Sequence, residues 1–174
     1  MKLSPFVTAA AATIVVLGLT SCAQSSSAQA LIDTKSPTQL LRNEAAQRLM
    51  TGTDESVAEQ QDYSAACKSE AEDPDGLYRS WRSTILAAVP EDSAIGVDQF
   101  VGALATSFAE DGWVLTETQG DVKVSSMTRS DSIVTLKFSS TEGDDASVYI
   151  EASGPCVLTG GPDSDEVKKL EGRN

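Results

Sequence analysis

Apolar and polar positions change rhythm several times along this chain. Residues 6–19 (FVTAAAATIVVLGL) form an almost unbroken apolar run. It is too short for a bilayer span, which takes about 20 apolar residues. From Ser36 the pattern is helical. Ser36 is placed to cap, Pro37 suits a first helical position, and Gln39 completes a capping box. Leu41, Ala45 and Leu49 recur at helical spacing with Leu40 and Met50 beside them, and Gly52 stops the segment. Arg42, Glu44, Gln47 and Arg48 are expected to face water. The mixed charge of that polar face favours packing on the chain's own domain over docking on a partner or a membrane. Thr53 to Ala66 lacks periodicity and reads as a loop, and Asp73-Pro74-Asp75-Gly76 reads as a turn. Leu77 to Val89 reads as a strand, with Trp81 as a core or sheet-face residue. Pro90 to Gly96 is a turn.

Val97 to Asp111 carries the strongest helical stripe, Val97, Val101, Leu104 and Phe108 with Phe100 beside it, and Gly112 ends it. From Trp113 the period falls to two. Trp113–Thr118, Val122–Arg129, Ser132–Ser140 and Ala146–Leu158 read as strands separated by short turns, with Val134, Leu136 and Phe138 sharing a face, and likewise Val148 and Ile150. Short turns imply antiparallel neighbours. The predicted class is α+β: an antiparallel meander of about four to five strands, covered on one face by the Val97 helix and by the N-terminal helix. Residues 36–160 form the expected single domain. Residues 22–35 are its polar tether and residues 161–174 a mobile tail.

The short apolar run takes its meaning from what surrounds it. Lys2 precedes it and Leu19-Thr20-Ser21-Cys22 ends it, which is the layout of a secretory signal. A leucine and two small residues before a cysteine resemble the lipobox of bacterial prolipoproteins. That resemblance implies that residues 1–21 are removed and that Cys22 carries diacylglycerol, anchoring the chain to the extracytoplasmic face of the cell membrane. The competing reading is cleavage after Ala28-Gln29-Ala30 to release a soluble form. Two acyl chains would hold the protein stably, where a single chain binds only marginally.

Composition narrows the functions. The chain has 13 Lys and Arg against 26 Asp and Glu, and loss of Lys2 with the signal would leave 12 against 26, a net charge of −14. Phosphate binding needs clustered cations, so nucleic acid is not an expected partner. There is no histidine. Triads built on His and the commonest zinc ligand are thereby removed, and no catalytic, cofactor or metal residue is expected. Asp73 with Asp75, and Asp144 with Asp145, read as solvated turns in preference to cation sites, because the EF-hand pattern is missing. With Cys22 assigned to lipid, Cys67 and Cys156 remain. In an oxidising compartment they read as one disulfide; two separate thiols or a redox pair are the alternatives, and the wide spacing lacks a Cys-x-x-Cys signature.

The lipobox cysteine, the capped helix after a short tether, Gly112-Trp113 at a helix end, the hairpins and the Pro155-Cys156-Val157 strand end together resemble small actinobacterial lipoproteins of the LppA-like kind. That resemblance implies no activity and no functional residue beyond Cys22 and the Cys67–Cys156 pair. The expected function is a non-enzymatic binding or interaction module of the cell envelope, engaging an envelope protein or a small ligand. The alternatives are a carrier holding a small apolar ligand between the Val97 helix and the sheet, and, with least behind it, a hydrolase built on carboxylates.

Overall fold

The computed structural model describes residues 30–50, 57–89, 96–119, 124–143 and 146–173. The signal, Cys22, the tether up to residue 29, the Gly52 stop, and Asp144 with Asp145 lie outside the described residues. In chain order the elements are α1 (Leu31–Met50), β1 (Val57–Ala66), β2 (Tyr78–Ala88), α2 (Val97–Glu110), β3 (Val114–Gln119), β4 (Val124–Thr128), β5 (Thr135–Thr141), β6 (Ser147–Ser153), β7 (Val157–Leu158) and α3 (Asp165–Leu170).

The seven strands form one antiparallel sheet in the order β1-β2-β6-β5-β4-β3, with β7 also paired to β2. The α+β class and the run of hairpins from Trp113 onward agree with the sequence pattern. The sheet is larger than the expected four to five strands for two reasons. One is β1, which falls in the supposed loop. Its residues Glu59, Gln61 and Tyr63 point to one face and Gln60, Asp62 and Ser64 to the other, so neither face is apolar and the alternation leaves no hydrophobic trace. The other is the break of the last strand into β6 and β7 at Gly154-Pro155-Cys156. The Gly154 N–H donates to the Trp81 carbonyl at 2.9 Å and keeps the interrupted strand beside β2.

The core lies between the sheet and the helices. Val97, Phe100, Val101, Leu104 and Phe108 of α2 are buried against Ile85, Met127, Leu136, Phe138, Val148 and Ile150. Leu41, Ala45, Ala46 and Leu49 of α1 join the same cluster. Each large apolar side chain taken fully from water stabilises the fold by about 1.5–3 kcal/mol. The space in which an apolar ligand could have lain is therefore occupied by Phe100, Leu104, Phe108 and their sheet partners. The end of α2 follows from its sequence. Gly112 adopts φ 83°, the Trp113 N–H returns to the Phe108 carbonyl at 3.1 Å, and the two rings meet edge to face at 5.8 Å.

Helix α1 differs most from expectation. It starts at Leu31, before Ser36, and Pro37 lies inside it. The expected tether thus gives its residues 31–35 to the helix. Two long-range contacts fix the early start. Leu31 is fully buried with Trp81, Val157 and Val167, and its N–H donates to Glu166 Oε1 at 3.1 Å, a carboxylate set against a helix N-terminus. Pro37 removes one intrahelical donor. Around it, the Thr34 hydroxyl donates to the Leu31 carbonyl at 2.8 Å, and the Thr38 hydroxyl reaches the carbonyls of Thr34 at 3.0 Å and Lys35 at 2.8 Å. Arg42, expected in water, is 2% exposed and ion-paired with Asp62 at 3.0 Å. Arg48 is half-buried, holding the Ser107 carbonyl at 2.9 Å and lying 4.0 Å over the Phe108 ring.

The expected mobile tail is also corrected. Ser164 caps α3 by accepting from the Val167 N–H at 3.4 Å, and Val167 is fully buried. The Glu171 carboxylate accepts from the Ser64 N–H at 2.9 Å and its hydroxyl at 2.8 Å, and Lys35 donates to the Leu170 carbonyl at 2.8 Å. Val167 and Leu170 are too few on a six-residue helix to leave a periodic signal, and all of the partners but Val157, namely Leu31, Lys35, Ser64 and Trp81, lie far upstream.

Candidate functional site

The buried helix positions all meet one face of the sheet, and the other face meets none of the described helices. The pleat of each strand sends alternate side chains to this open face, and the register aligns them in rows. Glu59 lies opposite Leu86, which lies opposite Tyr149, then Ser139. The next row is Gln61, Thr84, Glu151, Lys137 and Ser126. A third is Tyr63, Arg82, Ser153 and Thr135. The face is built of hydroxyl, amide, phenol and charged groups, the last being Glu59, Glu151, Arg82 and Lys137, with Leu86 as its large aliphatic side chain in these rows.

A connected polar group occupies the centre. Glu151, whose side chain is 12% exposed, accepts from the Tyr149 hydroxyl at 3.0 Å and from the Ser153 hydroxyl at 2.7 Å, and the Arg82 guanidinium lies 3.6 Å away. Burial, then the Glu151 charge, then Tyr63, which is hydrogen-bonded to Tyr149, push the Tyr149 phenol above its ordinary range. The Tyr149 hydroxyl serves as a donor to Glu151. Beside this group, Glu59, Gln61, Tyr63, Thr84, Leu86 and Tyr149 line a shallow depression of about 120 Å³, open to solvent. Gln61 Nε2 donates to Glu59 Oε1 at 2.5 Å on its rim.

Cys67 and Cys156 are bridged, with Sγ–Sγ 2.00 Å and Cα–Cα 5.7 Å. The bridge fastens the chain just after β1 to the residue just before β7. Asp73 is buried and accepts from the N–H groups of Leu77 at 2.9 Å and Tyr78 at 2.7 Å, so its carboxylate shapes the turn that the sequence reads there. Among the described residues no group of three or more Asp, Glu, Cys or His is arranged to hold a metal, and no helix is long and apolar enough to cross a membrane.

Sequence reasoning missed the open-face group entirely. Tyr63 falls in the segment read as a loop. Tyr149, Glu151 and Ser153 occupy the polar parity of a strand, where period-two reasoning expects only solvent-facing residues. The one local signal is the shared polar parity of Tyr149, Glu151 and Ser153; their approach to Tyr63 and Arg82 depends on strand register, which composition does not carry. Compared with known protein families, curated proteins and solved structures, the chain gives no match.

Proposed function

We propose that this protein is an exported lipoprotein of the cell envelope, held on the extracytoplasmic face of the membrane through Cys22, and that it is a non-enzymatic binding module whose working surface is the open face of the sheet. The observation that carries the reading is the division of labour among three cysteines. Cys67 and Cys156 form a bridge of the kind that persists in oxidising compartments, and the third cysteine follows an apolar run and Leu19-Thr20-Ser21. The binding role is supported by the locked Tyr149–Glu151–Arg82 group and by the depression next to it, features that solvation of a sheet face alone does not require. The lack of histidine, the side chain best suited to acid–base chemistry at neutral pH, favours recognition over turnover.

Expression in a bacterium fed an alkyne-tagged fatty acid tests the anchor. Label should appear on the wild-type chain in the membrane fraction, and a Cys22→Ala variant should be unlabelled and recovered in the soluble fraction. Label that persists in that variant, or an unlabelled soluble wild type, overturns the anchor. Specific turnover by the purified, bridged protein would overturn the non-enzymatic reading.

A further inference from the structure

We infer that the open face of the sheet is a binding site for a neutral, polyhydroxylated ligand, a short run of sugar rings, seated on Tyr63 and Tyr149 in the depression lined by Glu59, Gln61, Thr84 and Leu86. The inference rests on the binding-module reading and names the ligand class for that surface.

Charge comes first. The chain as a whole carries −13, yet the outward positions of β1, β2, β6 and β5 balance, with Glu59 and Glu151 against Arg82 and Lys137. Of these, Glu151 is already matched by Arg82 at 3.6 Å, and Lys137 sits directly opposite it in register. An anionic ligand would meet no free cation in the depression and would be repelled by the surrounding chain. A strongly cationic one would find a single carboxylate in the depression, Glu59, where the rest of the molecule offers far more. The surface selects for a ligand without charge.

The chemistry of the lining then specifies hydroxyls. An ionised carboxylate presents only acceptors, whereas an amide presents a donor pair and an acceptor. Glu59 and Gln61 place these two groups side by side on the rim, where together they can take both the O–H donors and the oxygen acceptors of neighbouring hydroxyls. Thr84 adds a hydroxyl to the floor. Tyr63, Tyr149 and Leu86 supply flat or aliphatic surface for the C–H faces of a ring, with the phenols as polar handles. The Tyr149 hydroxyl is committed to Glu151, and Tyr63 is tied to Tyr149, so the floor is ordered before any ligand arrives. Little side-chain freedom is then lost on binding. Polar rows continue across β6, β5 and β4, one through Ser139 and one through Lys137 and Ser126, so the site extends in the direction of a chain of rings.

The test is a titration of the full exported protein, in nanodiscs where it is recovered with the membrane and in buffer where it is not, followed by calorimetry. The probes are neutral glucan hexasaccharides of α1–4 and β1–4 linkage, with tetralysine and a polyuronate as charged comparators. Saturable binding of at least one glucan is expected, weakened about tenfold by Tyr63→Ala and similarly by Gln61→Ala, which is exposed and leaves folding intact. Binding that both substitutions leave unchanged overturns the site. Binding of tetralysine or the polyuronate in preference to both glucans overturns the ligand class, as does binding of no probe at millimolar concentration. Fatty-acid labelling of the same preparation reads the anchor independently, so failure at the sheet and failure of the membrane reading give separate signals.

Discussion

Two glycines show how much a single β-carbon matters here. A Cβ on Gly154 would come within 2.7 Å of the Thr34 Cβ, because α1 crosses the interrupted strand at that point. Gly154→Ala should therefore cost about 1–3 kcal/mol, as overpacking of a tight contact does. Gly102 lies on the exposed side of α2, where an added Cβ meets nothing within 4 Å. Gly102→Ala should stabilise by about 0.5–1 kcal/mol, the ordinary helical gain. Urea midpoints of the two variants check both signs; equal effects would mean that α1 does not press on the strand break. Arg42 and Asp62 pose a similar contrast in charge. Asp62→Asn leaves a guanidinium that is 2% exposed without its anion, and about 1–3 kcal/mol should be lost, less than for a wholly buried pair because Asp62 is 25% exposed. Arg42→Met removes the buried charge itself and should be closer to neutral, so the ordering of the two variants in chemical denaturation is the readout.

Among the elements, α3 has the least sequence behind it and a disproportionate number of ties. Burial raises the Glu171 carboxyl pKa, but the Ser64 N–H and hydroxyl and Arg173 together outweigh that and hold it below its ordinary value. A carboxyl depressed in the folded state contributes stability that is full above its unfolded pKa, near 4.3, and is lost as the pH falls through the folded value. Glu171→Gln should thus lower stability by about 1–3 kcal/mol at pH 7. The gap between wild type and variant should close on acidification toward pH 3, measured as denaturant midpoints at both values. A gap that is constant with pH would show that the charge is not what docks α3 on β1. Legibility in the sequence follows the same division between local and distant causes. Helix α2 and strands β3 to β6 were readable because Val97, Val101, Leu104 and Phe108, or Val134, Leu136 and Phe138, encode their burial at fixed local spacing. The start of α1, the strand β1 and the helix α3 were not, since Leu31 answers to Glu166, Ser64 to Glu171 and Arg42 to Asp62. The open-face site was hidden for a related reason: Tyr63, Arg82 and Glu151 become neighbours only through strand register.

On the scale of the whole molecule, these distant ties converge on one end of the sheet. There Leu31, Trp81, Val157 and Val167 form a second small core, and the Cys67–Cys156 bridge closes a separation of 89 residues beside it. The main core under α2 is secured by its own apolar area, but the second holds, among the described residues, four buried side chains and depends on keeping α1, β7 and α3 together. A cross-link across a loop of this length stabilises mainly by restricting the unfolded chain, by about 4–5 kcal/mol on loop-entropy reasoning. Its removal should be felt unevenly, because β7 and α3 are held by few other contacts and α2 with β3 to β6 by many. A Cys67→Ser, Cys156→Ser double variant should accordingly lose hydrogen-exchange protection first at Leu31, Val167 and Ser64, while the amides of Leu136, Phe138 and Ile150 remain protected. Global denaturation should then occur with a midpoint lowered by the equivalent of about 4–5 kcal/mol. Uniform loss of protection across both regions would show that the two cores open as one unit. The consequence for the proposed function is direct: the end of the sheet that opens first carries the start of α1, which leads back toward Cys22. Under the proposed function the bridge would hold in place both the end of the domain that leads back toward Cys22 and β1, whose Glu59, Gln61 and Tyr63 line half of the depression.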